Sequence, residues 1–278
     1  MDAWIYFFNQ LESYQLASIA GLGLLAGILG GLLGVGGGVI IIPALALILG
    51  PNQHLYQATA MIASVAISIP AALRHHKAGA INSKVLASML PAAVTCILLG
   101  VYLSNLPLFQ DPAGQRLLQR ILAGFMVYVI YLNLLKLRAK KNTAQIIPPK
   151  LSKTRGASVG GVMGTLAGLL GIGGGAIAVP LQQVILHIPL RSCIANSSAV
   201  ICISSIFGAI YKNMTLSTSS AFAFPGLALA GLLIPGAILG GRLGAKLTHL
   251  LPLKIVRMIF ILLLSLGAYK LAGIPFFS

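Results

Sequence analysis

The sequence predicts an all-α polytopic membrane protein with two inverted structural repeats, each a glycine-broken helical hairpin followed by three transmembrane helices. The composition predicts the membrane class, since 58% of the 278 residues are hydrophobic, 8% are charged and the mean hydropathy is +0.96. Soluble domains are about 25% charged. Runs of about 20 apolar residues, enough to cross a hydrocarbon core about 30 Å thick, recur along the chain.

A glycine phrase that occurs twice predicts the repeats. "GGLLGVGGGVIIIP" begins at Gly30 and "AGLLGIGGGAIAVP" begins at Ala167. The alignment of these two phrases, which we call the repeat register, continues without a gap to Ala72 and Ala209. Chance similarity would not keep this register, so we expect one transmembrane repeat at 1–136, a basic linker at 137–155 and a second repeat at 156–278. Internal repeats are frequent in secondary transporters.

The elements follow the same order in both halves. In the first half, apolar stretches at 16–33 and 39–50 flank the glycine phrase, and spans follow at 57–73, 84–104 and 116–136. In the second half, the stretches are 157–170 and 176–188, and the spans are 191–210, 219–240 and 253–274. The second stretch of each pair is too short to cross alone. We interpret each pair as a re-entrant hairpin, with two tilted, broken crossings as the alternative.

The basic residues predict the orientation in the cell membrane. The positive-inside rule places the linker 137–155 in the cytoplasm and both termini outside. Because each half then has an odd number of crossings, the second half is inverted. On this topology, fifteen of the nineteen lysines and arginines lie inside. The other four lie outside: Arg116, Arg120, Lys212 and Lys270. The net charge of +16 therefore reflects topology, and we expect no nucleic-acid partner.

The glycine phrases are the candidate anion site. A helix broken inside a membrane leaves backbone N–H groups that need a partner, and glycine exposes them without a side chain. A helix that restarts there adds a partial positive charge, which favours anions. Close helix packing is the alternative. We assign substrate binding to Gly36, Gly37, Gly38, Gly173, Gly174 and Gly175.

Polar side chains in the following spans complete the candidate site. Hydroxyls in membrane helices often bond to their own backbone, which is the alternative for each of them. No Asp or Glu lies within a predicted span, so a cation would find no carboxylate. We add as substrate ligands Thr59, Ser64, Asn196 and Ser197, and as a gate or vestibule Arg74, His75, His76 and Lys77. A solvated loop is the alternative for the second group.

Other chemistry is not indicated. The three cysteines have no metal or redox spacing, and the histidines are scattered, so we expect no metal and no cofactor. The sequence has no Gly-x-Ser-x-Gly elbow and no paired intramembrane carboxylates, and a membrane-embedded enzyme is therefore the least favoured class. Gln182 and Gln183 are costly in lipid, and we expect them to face a cavity or a partner helix.

The doubled phrase resembles the TauE/SafE family. The resemblance rests on two G-x-G-G-G motifs that end in proline, at Pro43 and Pro180, and on a basic turn with Arg74, Lys77 and Gly79. The second half departs from that turn, since it has "YKNMTLS" at the aligned place. The resemblance implies an exporter of sulfite or organosulfonates.

We therefore expect a secondary transporter that exports a small sulfur-containing oxyanion by alternating access. An anion channel, or an importer of another sulfur anion, is the alternative. The expected partners are a small anionic substrate and the lipid bilayer. The oligomeric state stays open, with a homodimer as one option.

Overall fold

The described part of the protein is helical. The computed structural model describes residues 12–138, 152–217 and 225–271, and all their regular elements are helices. The first half contains α1 (Ser13–Leu33), α2 (Gly38–Leu49), α3 (Gln53–Lys77), α4 (Ser83–Ser104), a 3₁₀ turn (Pro107–Phe109) and α5 (Pro112–Arg138). The second half contains α6 (Lys153–Leu170), α7 (Gly175–Leu181), a π-helical turn (Gln182–Leu186), α8 (Leu190–Ser217), α9 (Pro225–Leu250) and α10 (Leu253–Leu271).

Among the described residues, six helices are long and apolar enough to cross a membrane. They are α1, α3, α4, α8, α9 and the part of α5 that ends at Leu135. The predicted class of all-α polytopic membrane protein is therefore confirmed. Both termini and most of the linker predicted at 137–155 lie outside the described residues.

Several helix ends differ from the predicted spans. Helix α3 continues to Lys77, and α9 continues to Leu250, whereas the start predicted at 219 lies outside the described residues. The short helix predicted at 176–188 divides into α7 and the π-helical turn. Helix α1 has 21 residues, which is about 32 Å at 1.5 Å per residue and enough for a full crossing. This length favours the alternative interpretation of two tilted, broken crossings over a re-entrant hairpin that enters the membrane only partly.

Glycines spaced along three helices, which we call the glycine stripes, join the halves: Gly23, Gly27 and Gly31 on α1, Gly160, Gly164 and Gly168 on α6, and Gly236, Gly240 and Gly244 on α9. The most extensive helix pairings are α4 with α6 and α1 with α9. A β-carbon at Gly27 would lie 2.7 Å from the carbonyl oxygen of Ala237, and one at Gly164 would lie 2.5 Å from that of Ala93. These contacts explain why small residues recur along α1 and α6, because only small residues let two helix backbones approach so closely.

The pairing interlocks the two halves. The first helix of each half packs on the fourth helix of the other, so each half completes the packing of its partner. Helices α3 and α8, the third of each half, run antiparallel, because His54 near the start of α3 contacts Lys212 near the end of α8. The largest cluster of buried apolar residues draws on both halves. The molecule therefore has a shared core rather than one core for each half.

Candidate functional site

Both glycine phrases break a helix at equivalent positions. Helix α1 ends before Gly34, and three glycines with φ of 66°, 83° and 80° turn the chain into α2: Gly34, Gly36 and Gly37. Helix α6 ends in the same way before three glycines with φ of 76°, 75° and 78°: Gly171, Gly173 and Gly174. Side chains strongly disfavour these left-handed conformations. The motif therefore fixes the two turns through its backbone.

The two breaks meet inside the protein. A β-carbon at Gly38 would lie 2.8 Å from the carbonyl oxygen of Gly171, and one at Gly175 would lie 2.7 Å from Cα of Val35. Residues 34–38 and 171–175 are all buried. We call this contact the glycine junction.

The junction contains backbone N–H groups without partners. Ile40 and Ile41 donate to the carbonyl oxygen of Gly37, and the second break repeats this pattern at the start of α7. The N–H groups of residues 36–39 and 173–176 donate to no other described residue. Buried N–H groups are nearly always paired, and each unpaired one costs about 1–3 kcal/mol. Such donors at two helix starts suit the binding of an anion.

Ser64 lies between the two breaks. A β-carbon at Gly36 would lie 3.3 Å from its hydroxyl oxygen, and one at Gly173 would lie 3.1 Å from it. The Ser64 hydroxyl is buried and has no hydrogen-bond partner among the described residues. By contrast, the Ser68 hydroxyl donates to the carbonyl oxygen of Val65 in its own helix. Ser64 therefore presents a free hydroxyl to the junction.

The two halves contribute different side chains to the junction. The repeat register aligns Ser64 with Ile201, and Ile201 also contacts the first break, since its Cγ2 would lie 3.3 Å from a β-carbon at Gly36. One side of the junction is therefore polar and the other is apolar.

Asn196 and Ser197 form a separate polar group. The Oδ1 of Asn196 accepts from the backbone N–H of Asn82 at 2.8 Å, and its Nδ2 donates to Oε1 of Gln182 at 3.4 Å. The Nε2 of Gln182 donates to the Ser197 hydroxyl at 2.8 Å. These bonds connect α8 to the π-helical turn and to the segment before α4, and Gln182 faces a partner helix as expected.

The remaining predicted residues have different environments. The Thr59 hydroxyl is buried and donates to the carbonyl oxygen of Leu55 at 2.9 Å, so it bonds to its own helix. The gate residues form the last turn of α3 rather than a loop: Arg74, His75, His76 and Lys77. His75 is buried and the other three are exposed. Three of the four are therefore solvated, but on a helix and not in the loop that the alternative interpretation expected.

The cysteines contribute no disulfide in the described residues. Cys193 is buried, and Cys96 and Cys202 are half-buried; all three are free thiols. The buried position of Cys193 agrees with the behaviour of a small apolar side chain.

Sequence reasoning missed a buried lysine. The Lys212 side chain is 1% exposed, although the charge pattern assigned it to an ordinary outer flank. Its Nζ lies 2.9 Å from Nδ1 of His54, 2.9 Å from the Ser104 hydroxyl and 2.6 Å from Oδ1 of Asn105. The available signal was its isolation, since no other Lys or Arg lies between Arg191 and Arg242.

Comparisons with known proteins give a consistent result. A family model described as "Sulfite exporter TauE/SafE" matches residues 19–271. "Probable membrane transporter protein MamO" of Magnetospirillum gryphiswaldense is 29% identical over 94% of this chain, but the match covers 46% of MamO. The chain thus spans just under half the length of that relative.

Two relatives of similar length also match. "Probable membrane transporter protein YunE" of Bacillus subtilis is 26% identical over 92% of this chain and 97% of its own length. A "Probable membrane transporter protein" of Haemophilus influenzae is 28% identical over 90% of this chain and 95% of its own. No solved structure matches the chain.

Proposed function

The chain belongs to the TauE/SafE family of membrane transporters, and from this membership we propose that it exports a small sulfur-containing oxyanion, such as sulfite or an organosulfonate. We propose further that it is a secondary transporter that works by alternating access. The relatives' names support transport over catalysis, since they are called membrane transporters.

The glycine junction is the observation that carries the choice of an anion. The buried N–H groups at the two helix starts have no partner among the described residues, and the free hydroxyl of Ser64 lies beside both breaks. An oxyanion offers several acceptor oxygens to such donors. The acidic residues within the described ranges, Glu12 and Asp111, are exposed and lie in neither break. A cation would therefore find donors and no carboxylate at the junction.

The helix arrangement supports alternating access. The antiparallel course of α3 and α8 agrees with halves of opposite orientation, because these helices are equivalent in the two repeats. Inverted repeats place the substrate site at the repeat interface, where one bundle can rock against the other. The glycine junction lies at such an interface, since one break comes from each half.

The proposed setting is the cell membrane, with the linker in the cytoplasm and the termini outside. The charge pattern supports this orientation, since most basic residues fall on the cytoplasmic side. A negative cytoplasm favours export of an anion by about 2.3 kcal/mol per charge for each 100 mV. The exposed side chains of Arg74, His76 and Lys77 would attract anions to the cytoplasmic end of α3.

Flux measurements on purified protein in liposomes test the proposal. The assay uses radiolabelled sulfite, an organosulfonate, thiosulfate and sulfate, with and without an imposed potential, and protein-free liposomes are the control. We expect saturable flux of at least one sulfur oxyanion, together with counterflow. The flux should be faster when the imposed potential drives the anion out of the liposomes. Saturation without counterflow would indicate a channel, and no flux of any of the four anions would remove the substrate assignment.

A further inference from the structure

Lys212 places a buried amino group where three helices meet. The lysine lies on α8, His54 lies in the first turn of α3, and Ser104 and Asn105 form the end of α4. The three acceptors match the three N–H donors of an ammonium group. Nε2 of His54 donates in turn to the carbonyl oxygen of Phe109 at 2.7 Å, which leaves Nδ1 as the acceptor for Lys212.

The charge of Lys212 has no counter-ion in the described parts of the chain. All three of its partners are neutral. Asp111, two positions beyond Phe109, is exposed, and its Oδ1 accepts from the backbone N–H of Gly114. A buried charge is costly unless it is paired. This cluster therefore favours an anion that the protein itself does not supply.

Two buried glutamines lie beside His54 on α3, and one of them reaches the glycine junction. Gln57 lies one helical turn beyond His54, and its Cα would be 2.7 Å from a β-carbon at Gly171. The Oε1 of Gln57 is buried without a hydrogen-bond partner among the described residues. The side-chain amide of Gln53, next to His54, is also buried, and neither of its polar atoms has a partner in the described ranges.

We propose that the Lys212 ammonium is a second anion-binding site on the transport path, where oxygens of the transported oxyanion replace its neutral acceptors. The site lies at the end of α3 opposite the turn at residues 74–77. The proposal rests on the proposed function, since it takes the transported sulfur oxyanion as the ligand. It adds a site that the glycine motifs do not include.

Anion binding at Lys212 would also loosen this end of the bundle. The hydrogen bonds of Lys212 hold the ends of α3, α4 and α8 together. When substrate oxygens take over the ammonium donors, these helix ends lose their connection and can separate. The repeat register aligns Lys212 with His75, which is buried at the opposite end of α3. Each half thus carries a buried basic side chain at the matching position.

Asn105→Asp separates an anion-binding role from a structural one. The substitution keeps the shape of the side chain and gives Lys212 a permanent counter-ion in place of the acceptor at 2.6 Å. If Lys212 has only a structural role, the new carboxylate holds its side chain at least as firmly as the amide does. If Lys212 binds the anion, the carboxylate competes with the anion for the ammonium group and blocks binding. We expect unchanged or higher thermal stability, together with an increase of about tenfold or more in KM for the anion.

Asn52→Asp is the matched control. Asn52 is exposed, caps the N-terminus of α3 near His54, and its side chain accepts from the N–H of Leu55. The substitution adds the same charge at the same end of the molecule without contacting Lys212, and aspartate is an equally good cap. We expect a KM within about twofold of the wild type, since an exposed charge is screened by solvent. Equal KM values for Asn105→Asp and Asn52→Asp would overturn the proposal.

A binding assay separates this inference from the proposed function. Thermal unfolding of the purified wild type, Asn105→Asp and Lys212→Arg is followed during titration with sulfite and with sulfate. We expect the anion to stabilise the wild type and Lys212→Arg clearly more than Asn105→Asp, because this substitution blocks the site at Lys212 and leaves only the glycine junction. If the wild type binds in this way without flux in liposomes, the transport proposal fails and the Lys212 site stands. If the wild type is not stabilised by either anion, the Lys212 site is wrong.

Discussion

Ser64 shows how a single hydroxyl becomes available in an otherwise tightly packed interior. Its neighbours on the same helix, Thr59 and Ser68, donate to their own backbone, while Ser64 faces both glycine breaks. The residue aligned with it in the other half is Ile201, which has no polar group. The difference indicates that the polar contact in the junction comes from the first half alone.

Ser64→Ala tests this contact. The hydroxyl has no partner among the described residues, so removing it should leave thermal stability unchanged or slightly higher. If the hydroxyl binds the anion, KM should rise about fivefold to tenfold, the effect of losing one hydrogen bond of about 1–1.5 kcal/mol. Ser68→Ala is the matched control and should keep the wild-type KM. A wild-type KM for Ser64→Ala would exclude Ser64 from the site.

Gly174→Val tests the junction itself. Gly174 has φ of 78°, and a β-carbon there would lie 2.8 Å from the carbonyl oxygen of Met163. A β-branched residue in this conformation is strained by at least about 1–3 kcal/mol, so the turn should shift and transport should be lost. Because the six candidate spans in the described ranges lie outside this turn, we expect membrane insertion to remain.

Gly124→Val is the control for this substitution. Gly124 lies within α5, and a β-carbon there would meet nothing within 4 Å. Flux and insertion should both remain close to wild type. Normal transport by Gly174→Val would show that the junction is not the site.

The sequence was informative about the backbone of the site and uninformative about its tertiary partners. The glycine triplets were predictable because breaks and positive φ are local properties of a motif. The cluster at Lys212 was not, because its partner His54 is 158 positions away. Asn196 was predicted as a ligand because it is a polar side chain in a predicted span, but its bonds to Asn82 and Gln182 depend on how α8 packs.

At the scale of elements, the glycine stripes set which helices pair. The helix breaks were predicted well, whereas the C-terminal ends of α3 and α9 were not, because both helices continue beyond the apolar stretch into polar residues such as Lys77 and Lys246. On α9 the stripe faces α1, and a β-carbon at Gly236 would lie 2.6 Å from the backbone nitrogen of Leu24. Close contact between backbones is therefore part of what holds this pair.

Gly236→Ala should separate α1 from α9. The added methyl group has no room, so we expect a lower thermal unfolding temperature in detergent. Gly231→Ala, on the same helix, is the matched control, since a β-carbon there meets nothing within 4 Å. In solution alanine favours a helix over glycine by about 1 kcal/mol, and Gly231→Ala should therefore be neutral or stabilising. Equal unfolding temperatures for the two variants would contradict the close packing of α1 on α9.

At the scale of the whole molecule, the halves depend on each other. Helix α1 is covered by α9 and α6 is covered by α4, so neither half can bury its own first glycine stripe. The sequence predicted a duplication from the repeat register of the two glycine phrases. It did not predict this exchange of partners, because repeats in register are compatible with separate or interlocked halves.

Splitting the chain within residues 139–151 tests the mutual dependence. We expect each half alone to be degraded or aggregated, because its glycine stripe is left exposed, and co-expression of both halves to restore flux. Affinity capture of one tagged half should then recover the other. Two halves that are separately stable and monodisperse would contradict a shared core.

The exchange of partners also sets a schedule for biosynthesis. Helix α4 meets α6 soon after synthesis, whereas α1 must wait for α9, which begins only at Pro225. At about 5–20 residues per second, the ribosome needs about 10–40 seconds to supply α9. During that interval the glycine stripe of the nascent α1 is not covered by α9. The insertion machinery or a membrane chaperone must therefore protect this surface until nearly the whole polypeptide has been synthesised.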